Sequence, residues 1–273
     1  MSIATASGTT STKSAPVYHR DVEAMGTIIT IDLFGGEALD PLEIARALDD
    51  AALLLHEADD VFSTWQPHSP LSRLRRGEID LDEVPREVAE VLDACRIARR
   101  LSQHWFDPWS MPGGVDPTGL VKGWAAQRAL NSLRGRGLSG ALVNAAGDVA
   151  SFGGPAGTAA FRIGVASPVN PRQLAWVVES PGAVATSGTY ERGNHLINPF
   201  TGDAAMTASA TVTGPDLALA DALATALALA GPAGLAFVRR IGGYEGLVID
   251  TTGATHLSDG FPTAASVVPE GPA

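Results

Sequence analysis

Two polar side chains interrupt an otherwise apolar helical stretch near the carboxyl end of the chain. Residues 216–231, DLALADALATALALAG, are nearly all Ala and Leu apart from Asp216, Asp221 and Thr225. Asp221 and Thr225 are four residues apart and therefore share one face of a helix. Their oxygen atoms are suitable ligands for a hard cation such as Mg²⁺. Alternatively, Asp221 lies on a solvated stripe, as most helical aspartates do. The spacing alone leaves both interpretations open.

Three loop stretches also gather polar groups. Residues 116–123, DPTGLVKG, place Lys122 in the first turn of a predicted helix. Backbone N–H groups and a lysine at a helix start are typical of a phosphate site, although the cation opposes the helix dipole. Residues 144–148, NAAGD, are typical of a hairpin turn. Residues 185–202 contain Ser187 and His195 without an obvious acid partner, which is poor evidence for a catalytic triad.

The elements that must position these groups can be predicted from hydrophobic periodicity. Alternation over residues 27–34 predicts a half-buried strand, and short β-like runs recur from residue 141 onward: ALVNA, DVASF, FRIGVA, LAWVVE, AVATS, HLIN, SATVT and GLVID. Helices are predicted at 41–60, 85–104, 120–134 and 216–231, with short ones at 71–74 and 233–241. Because strands and helices mix without regular βαβ alternation, we expect an α+β fold with a largely antiparallel sheet packed with helices.

The composition and net charge of the chain limit the classes of protein to which it can belong. The chain has 273 residues and a formal charge of −11, which disfavours binding to nucleic acid or anionic membranes. No run is long enough to insert in a membrane without Gly, Pro or charge, and the first residues lack a secretory signal, so we expect a cytoplasmic protein. The only cysteine, Cys95, occupies an apolar position of a predicted helix and is expected to be a packed thiol. We expect a disordered segment at 1–18, a single domain at 19–262 and a flexible tail at 263–273.

Taken in order, eight short stretches resemble one family. They are Met25-Gly26-Thr27, Phe62-Ser63-Thr64-Trp65, Phe106-Asp107-Pro108, Asp116 with Lys122-Gly123, Asn144 with Gly147-Asp148, Ala185-Thr186-Ser187-Gly188, His195 with Asn198-Pro199 and Thr201-Gly202, and Asp221 with Thr225. Each is loose alone, but the order resembles the ApbE-type FAD:protein FMN transferases over residues 25–248.

The resemblance implies an ApbE-like fold and an enzyme that uses Mg²⁺ to move FMN from FAD to a Thr or Ser hydroxyl of an acceptor protein, releasing AMP. It implies that Asp221, Thr225 and the Gly119 carbonyl are metal ligands, and that His195 assists deprotonation of the acceptor hydroxyl. The remaining implied contacts with FAD are Met25, Trp65, Trp105, Phe106, Asp107, Asp116, Lys122 and His195.

The sequence also departs from the family pattern. The segment between Asp107 and Asp116 is short, Thr118 stands where the family usually has Gly, and Ala146 replaces one Gly of the Asn-x-Gly-Gly-Asp run. Two other functions remain open for the same residues. One is a Mg²⁺-dependent FAD pyrophosphatase that gives free FMN and AMP, and the other is a non-catalytic flavin-binding protein.

Overall fold

A computed structural model describes residues 17–36, 38–155, 158–170, 172–180, 182–188, 196–203 and 207–262. The strands are β1 (Val17–Ala24), β2 (Thr27–Gly35), β3 (Leu138–Ala145), β4 (Asp148–Gly153), β5 (Phe161–Ala166), β6 (Leu174–Ser180), β7 (Ala183–Gly188), β8 (Thr207–Gly214), β9 (Glu245–Asp250) and β10 (Thr255–Leu257). The helices are α1 (Pro41–Phe62), α2 (Pro70–Arg75), α3 (Arg86–Leu101), α4 (Thr118–Ser132), α5 (Leu217–Ala230) and α6 (Leu235–Val238). Short 3₁₀ turns occur at Pro108–Ser110 and Gly231–Gly234.

The strands form one large sheet and one separate hairpin. The eight-stranded sheet has the order β1-β2-β3-β4-β7-β8-β9-β10, and every neighbouring pair in it is antiparallel. Strands β5 and β6 pair only with each other among the described residues. The predicted α+β class with an antiparallel sheet is therefore confirmed.

Two hydrophobic cores lie on opposite faces of the large sheet. The main core joins the helices to one face, where Ile29, Ile31 and Leu33 alternate inward along β2. The smaller core joins the β5–β6 hairpin to the other face, which includes Leu142 and Val184. Alternation of inward and outward side chains along each strand produces these two faces. The protein is thus layered as helices, sheet and hairpin.

Helix α5 lies at the centre of the helical layer and is buried nearly all round. It packs against α4 on one side and against β7 and β8 on the other. The run Leu217–Val238, which contains α5, has the length and composition to cross a membrane, but most of it is buried inside the protein. Its apolar character is explained by this central position in the fold.

Local signals in the sequence set most of the element boundaries. At the start of α1, the Asp40 side chain accepts from the Leu42 N–H at 2.9 Å, while Glu43 accepts from the Asp40 N–H at 3.2 Å. This capping box, with Pro41 in the first turn, explains where the helix begins. Two tight hairpin turns, Met25-Gly26 and Ala146-Gly147, have positive φ at both residues, as type I′ turns require.

Three parts of the fold differ from the sequence-based expectations. Strand β1 was not expected, and it places Val17 and Tyr18 in the sheet, ahead of the domain boundary proposed at residue 19. The HLIN run does not form a strand in its described part, where only Ile197 makes an isolated bridge. The expected helix at 233–241 is shorter, because a 3₁₀ turn occupies residues 231–234 and α6 ends at Val238.

The contact between α4 and α5 gives a stability prediction. A Cβ added at Gly123 would lie 2.5 Å from the Leu217 carbonyl oxygen and 2.9 Å from Asp221 Cβ. Alanine would gain about 1 kcal/mol in helix propensity, but the clash forces the helices apart, and overpacking costs about 1–3 kcal/mol. We expect Gly123→Ala to lower the urea midpoint of unfolding, with an unchanged m-value.

The matched control is Gly242→Ala. No atom lies within 4 Å of a Cβ added at Gly242, so this variant should stay within about 0.5 kcal/mol of wild type. Equal stability of the two variants would contradict the close approach of α4 and α5.

The single thiol gives a second prediction. Cys95 is fully buried on α3, as expected, and burial raises its pKa to about 12. Because the thiolate is the reactive form, a disulfide reagent at about pH 8 should label the thiol only after unfolding in denaturant. Rapid labelling of the native protein would contradict this packing.

Candidate functional site

Helix α5 is held at both ends by the residues that its sequence indicates. The Asp216 side chain accepts from the Leu219 N–H at 3.0 Å and caps the first turn. Gly231, with φ 64°, ends the helix and donates its N–H to the Leu227 carbonyl. The Tyr244 hydroxyl donates to the Asp216 carbonyl, and burial raises the pKa of this phenol, so it stays a neutral donor. The side chains of α5 therefore project from a firmly fixed helix.

Asp221 projects from α5 toward α4 and is buried, with 3% of its surface exposed. Its Oδ2 accepts from the backbone N–H of Gly123 at 3.0 Å. In a regular α-helix, the N–H of residue 123 would donate to the carbonyl of residue 119. The carboxylate therefore competes with the Gly119 carbonyl for one donor. The solvated-stripe interpretation of Asp221 is wrong, because α4 covers this face of α5.

Thr225 lies one turn after Asp221, and three elements meet at its side chain. Its Oγ1 is 3.4 Å from Ser187 Oγ at the end of β7. A Cβ added at Gly119 would lie 3.5 Å from Thr225 Oγ1 and 3.2 Å from the Phe106 ring. Gly119, in the first turn of α4, thus lies at ordinary contact distance from Thr225, and its lack of a side chain relieves crowding against the Phe106 ring. A carboxylate, a hydroxyl and a backbone carbonyl are the oxygen donors that Mg²⁺ prefers, so these residues fit that ion chemically.

The segment 105–107 wraps around this junction. Phe106 is buried against Gly119, whereas Trp105 is half-buried and makes an edge contact with Phe200, with ring centroids 5.0 Å apart. Asp107 Oδ1 accepts from the Trp109 N–H at 3.1 Å, and its Oδ2 pairs with Arg99 Nε at 2.8 Å. The Asp107 carboxylate therefore fixes the loop to α3.

Asp116 and Trp65 line a cavity of about 330 Å³ beside the start of α4. Asp116 Oδ1 accepts from the Thr118 N–H at 3.1 Å, and its Oδ2 pairs with Arg75 at 3.0 Å. Arg75 also donates to the Pro112 carbonyl at 3.0 Å. The Trp65 side chain is 93% exposed at the rim. Sequence reasoning missed Arg75, because its partners lie about forty residues away.

Lys122 lies in the second turn of α4, since the helix begins at Thr118 and not at the predicted residue 120. The helix dipole acts mainly on the first turn, so the expected conflict with this cation is small. Its ammonium forms an ion pair with Asp148, the first residue of β4. Asp148 is almost fully buried, whereas the sequence indicated a hairpin turn and a family-like stretch here but no role for this side chain.

Met25 lies in the β1–β2 turn with φ 52°, half-buried against the main core. Ile29 of β2 pairs with Ala145 of β3, so this turn lies at the same end of the sheet as the Ala146-Gly147 turn. The end of β7, with Ser187, also lies there because β7 runs antiparallel to β4. His195 lies outside the described residues.

Most of the predicted residues thus gather along one edge of the molecule. Gly119, Phe106 and Thr225 are in close proximity, and Asp221 lies nearby against α4. Asp116 accepts from the N–H of Thr118, the first residue of the same helix. Trp65 is connected to these residues by the cavity that it lines together with Asp116. Such an arrangement of oxygen donors, a lysine and a cavity with an exposed aromatic ring can hold a cation beside an anionic aromatic ligand.

Comparisons with known proteins agree with this geometry. The model of the ApbE family matches residues 25–114 and 112–248. The fold is similar to the ApbE protein of Thermotoga maritima, with TM-score 0.76 and 23% identity over 89% of this chain and 97% of that one. It is also similar to the flavin transferase ApbE of Vibrio cholerae, with TM-score 0.75 and 21% identity over 89% and 98%.

A third similar structure is the flavinyl transferase ApbE of Pseudomonas stutzeri, with TM-score 0.76 and 21% identity over 90% of this chain and 95% of that one. These likenesses show a shared fold. A search of curated proteins gives no match. The family model, in contrast, spans most of the chain, from the first hairpin turn to β9. The protein therefore belongs to the ApbE family.

Proposed function

We propose that this protein is a Mg²⁺-dependent FAD:protein FMN transferase that attaches FMN to a Thr or Ser hydroxyl of an acceptor flavoprotein. The observation that carries the proposal is the close approach of α5 to α4, where buried Asp221 accepts from the Gly123 N–H and Thr225 lies beside Gly119. Membership of the ApbE family supports a flavin as the ligand. The names of two similar structures, which are flavin transferases, point the same way.

The proposed reaction breaks a phosphoanhydride bond and forms a phosphoester bond. The acceptor hydroxyl oxygen forms a bond to the FMN phosphorus, and the bond from that phosphorus to the bridging oxygen of the diphosphate breaks. AMP leaves with the bridging oxygen, and the hydroxyl proton passes to a base, for which we propose His195. A bound Mg²⁺ would neutralise the diphosphate and stabilise charge on the departing AMP.

The residues of this chain have distinct roles in the proposed reaction. Asp221, Thr225 and the Gly119 carbonyl hold the cation, while Lys122 brings positive charge to the diphosphate. The exposed ring of Trp65 offers a stacking surface beside the cavity at Asp116. The proposed acceptor is a cytoplasmic flavoprotein.

Loss of the cation ligand gives the first test of this function. Asp221→Asn keeps the shape and an acceptor oxygen for the Gly123 N–H, but removes the negative charge that holds a divalent cation. We expect FMN transfer to a co-expressed acceptor to fall by more than about a hundredfold, as measured by the intact mass of the acceptor. Thr225→Val should act in the same direction.

The matched control is Asp93→Asn, a change at an exposed carboxylate on α3, which should transfer FMN at the wild-type rate. Transfer by Asp221→Asn at that rate, with Mg²⁺ present, would contradict the proposal. Free FMN and AMP without a modified acceptor would instead identify a pyrophosphatase. FAD binding that is unchanged by EDTA, with no AMP formed, would identify a non-catalytic flavin-binding protein.

A further inference from the structure

One buried carboxylate, which pairs with Lys122, has no role in the function proposed above. Asp148, at the start of β4, is 1% exposed. Its Oδ2 contacts the Lys122 ammonium, and its Oδ1 accepts from the Thr186 backbone N–H at 2.9 Å. Both carboxylate oxygens are therefore engaged, one by helix α4 and the other by strand β7.

The hairpin turn does not require this aspartate. Asn144 Oδ1 already accepts from the Gly147 N–H at 2.8 Å, which satisfies the turn that precedes β4. Burying a carboxylate is unfavourable, and pairing it with an ammonium mainly offsets that cost, so the pair is weak evidence for a role in stability. The position of the lysine is the more informative feature.

The two partners differ in their exposure to solvent. The Lys122 side chain is 23% exposed, whereas that of Asp148 is 2% exposed. The Asp148 carboxylate thus contacts the Lys122 ammonium from the protein interior. Asp148 is also close to the proposed cation site, because Thr186 precedes Ser187, whose Oγ is 3.4 Å from Thr225 Oγ1. The ammonium is held at the same end of the sheet as the proposed cation ligands.

We propose that Asp148 is a positioning residue, which fixes the Lys122 ammonium where the diphosphate of a flavin dinucleotide binds. This inference rests on the proposed function, since it assumes that such a dinucleotide occupies the site. A lysine side chain has four rotatable bonds, and a buried partner that removes this freedom prepares the charge for an anionic ligand. Asp148 then contributes to affinity only through Lys122.

A double-mutant cycle on FAD binding tests this inference. Asp148→Asn keeps an acceptor for the Thr186 N–H and removes the charge, whereas Lys122→Met removes the ammonium. We expect each variant to weaken FAD binding about tenfold, measured by titration calorimetry with Mg²⁺ present. The double variant should bind no more weakly than Lys122→Met alone, because the two residues act as one unit. The inference would be overturned if the loss of FAD affinity in the double variant equalled the product of the losses in the two single variants.

The control for a buried carboxylate is Asp32→Asn. Asp32 is 9% exposed and pairs with His19 at 2.7 Å on the sheet face away from the helices, so its loss should leave FAD affinity unchanged. If Asp148→Asn does not fold, Asp148→Glu replaces it in the cycle, since it keeps the charge and displaces the ammonium.

The outcomes separate this inference from the proposed function. If the wild-type protein binds FAD but modifies no acceptor, the proposed function is contradicted. The double-mutant cycle on FAD binding can still be measured in that case. If the wild-type protein transfers FMN but the two losses of FAD affinity multiply in the double variant, only the proposed role of Asp148 is contradicted.

Discussion

The hydrogen bond from the Gly123 N–H to Asp221 Oδ2 joins the two helices that carry the candidate site. A carboxylate in an apolar helix is costly to bury unless a donor meets it. Here one such donor is a backbone N–H, and it reaches the carboxylate because residue 123 lacks a side chain that would keep the helices apart. Further along the same interface, Thr225 of α5 lies beside Gly119 of α4. The site is therefore a property of the helix interface.

The irregular segment that leads into α4 depends on two arginines from neighbouring helices. Arg99 pairs with Asp107 at 2.8 Å, and Arg75 pairs with Asp116 at 3.0 Å. Both acids were expected to contact FAD, and in this structure both hold the loop. Ion pairs of partly buried, geometrically constrained groups can order a segment that has little regular structure. The shape of the cleft at the start of α4 depends on these anchors.

The sequence predicts which side chains share a helix face better than it predicts the environment of each residue. Helix α5 and its caps are evident from composition, as is the pairing of Asp221 with Thr225 on one face. The burial of Asp221 could not be foreseen, because it depends on a helix whose contact lies 98 residues away. Asp148 was interpreted as a turn residue for the same reason, since Lys122 belongs to another element.

Strand β1 was missed although its pattern is regular. Val22 and Ala24 are buried, whereas Asp21 and Glu23 are exposed, as alternation requires. The adjoining Ser- and Thr-rich residues obscured this short signal. Pairing with β2 supplies the hydrogen bonds that an isolated eight-residue segment lacks. Tertiary context thus decides where the sheet begins.

The 98-residue separation between Gly123 and Asp221 also has a consequence for how the protein folds. Strands β3 to β8 lie between the two helices in the chain. Their hairpins can form locally and early, whereas docking of α4 on α5 requires closure of this long loop. The proposed cation ligands, which come from both helices, cannot meet in a chain whose synthesis has stopped before α5. If the protein acts as proposed, affinity for Mg²⁺ and FAD would appear only at a late stage of folding, so their binding would be a sensitive reporter of a completely folded chain.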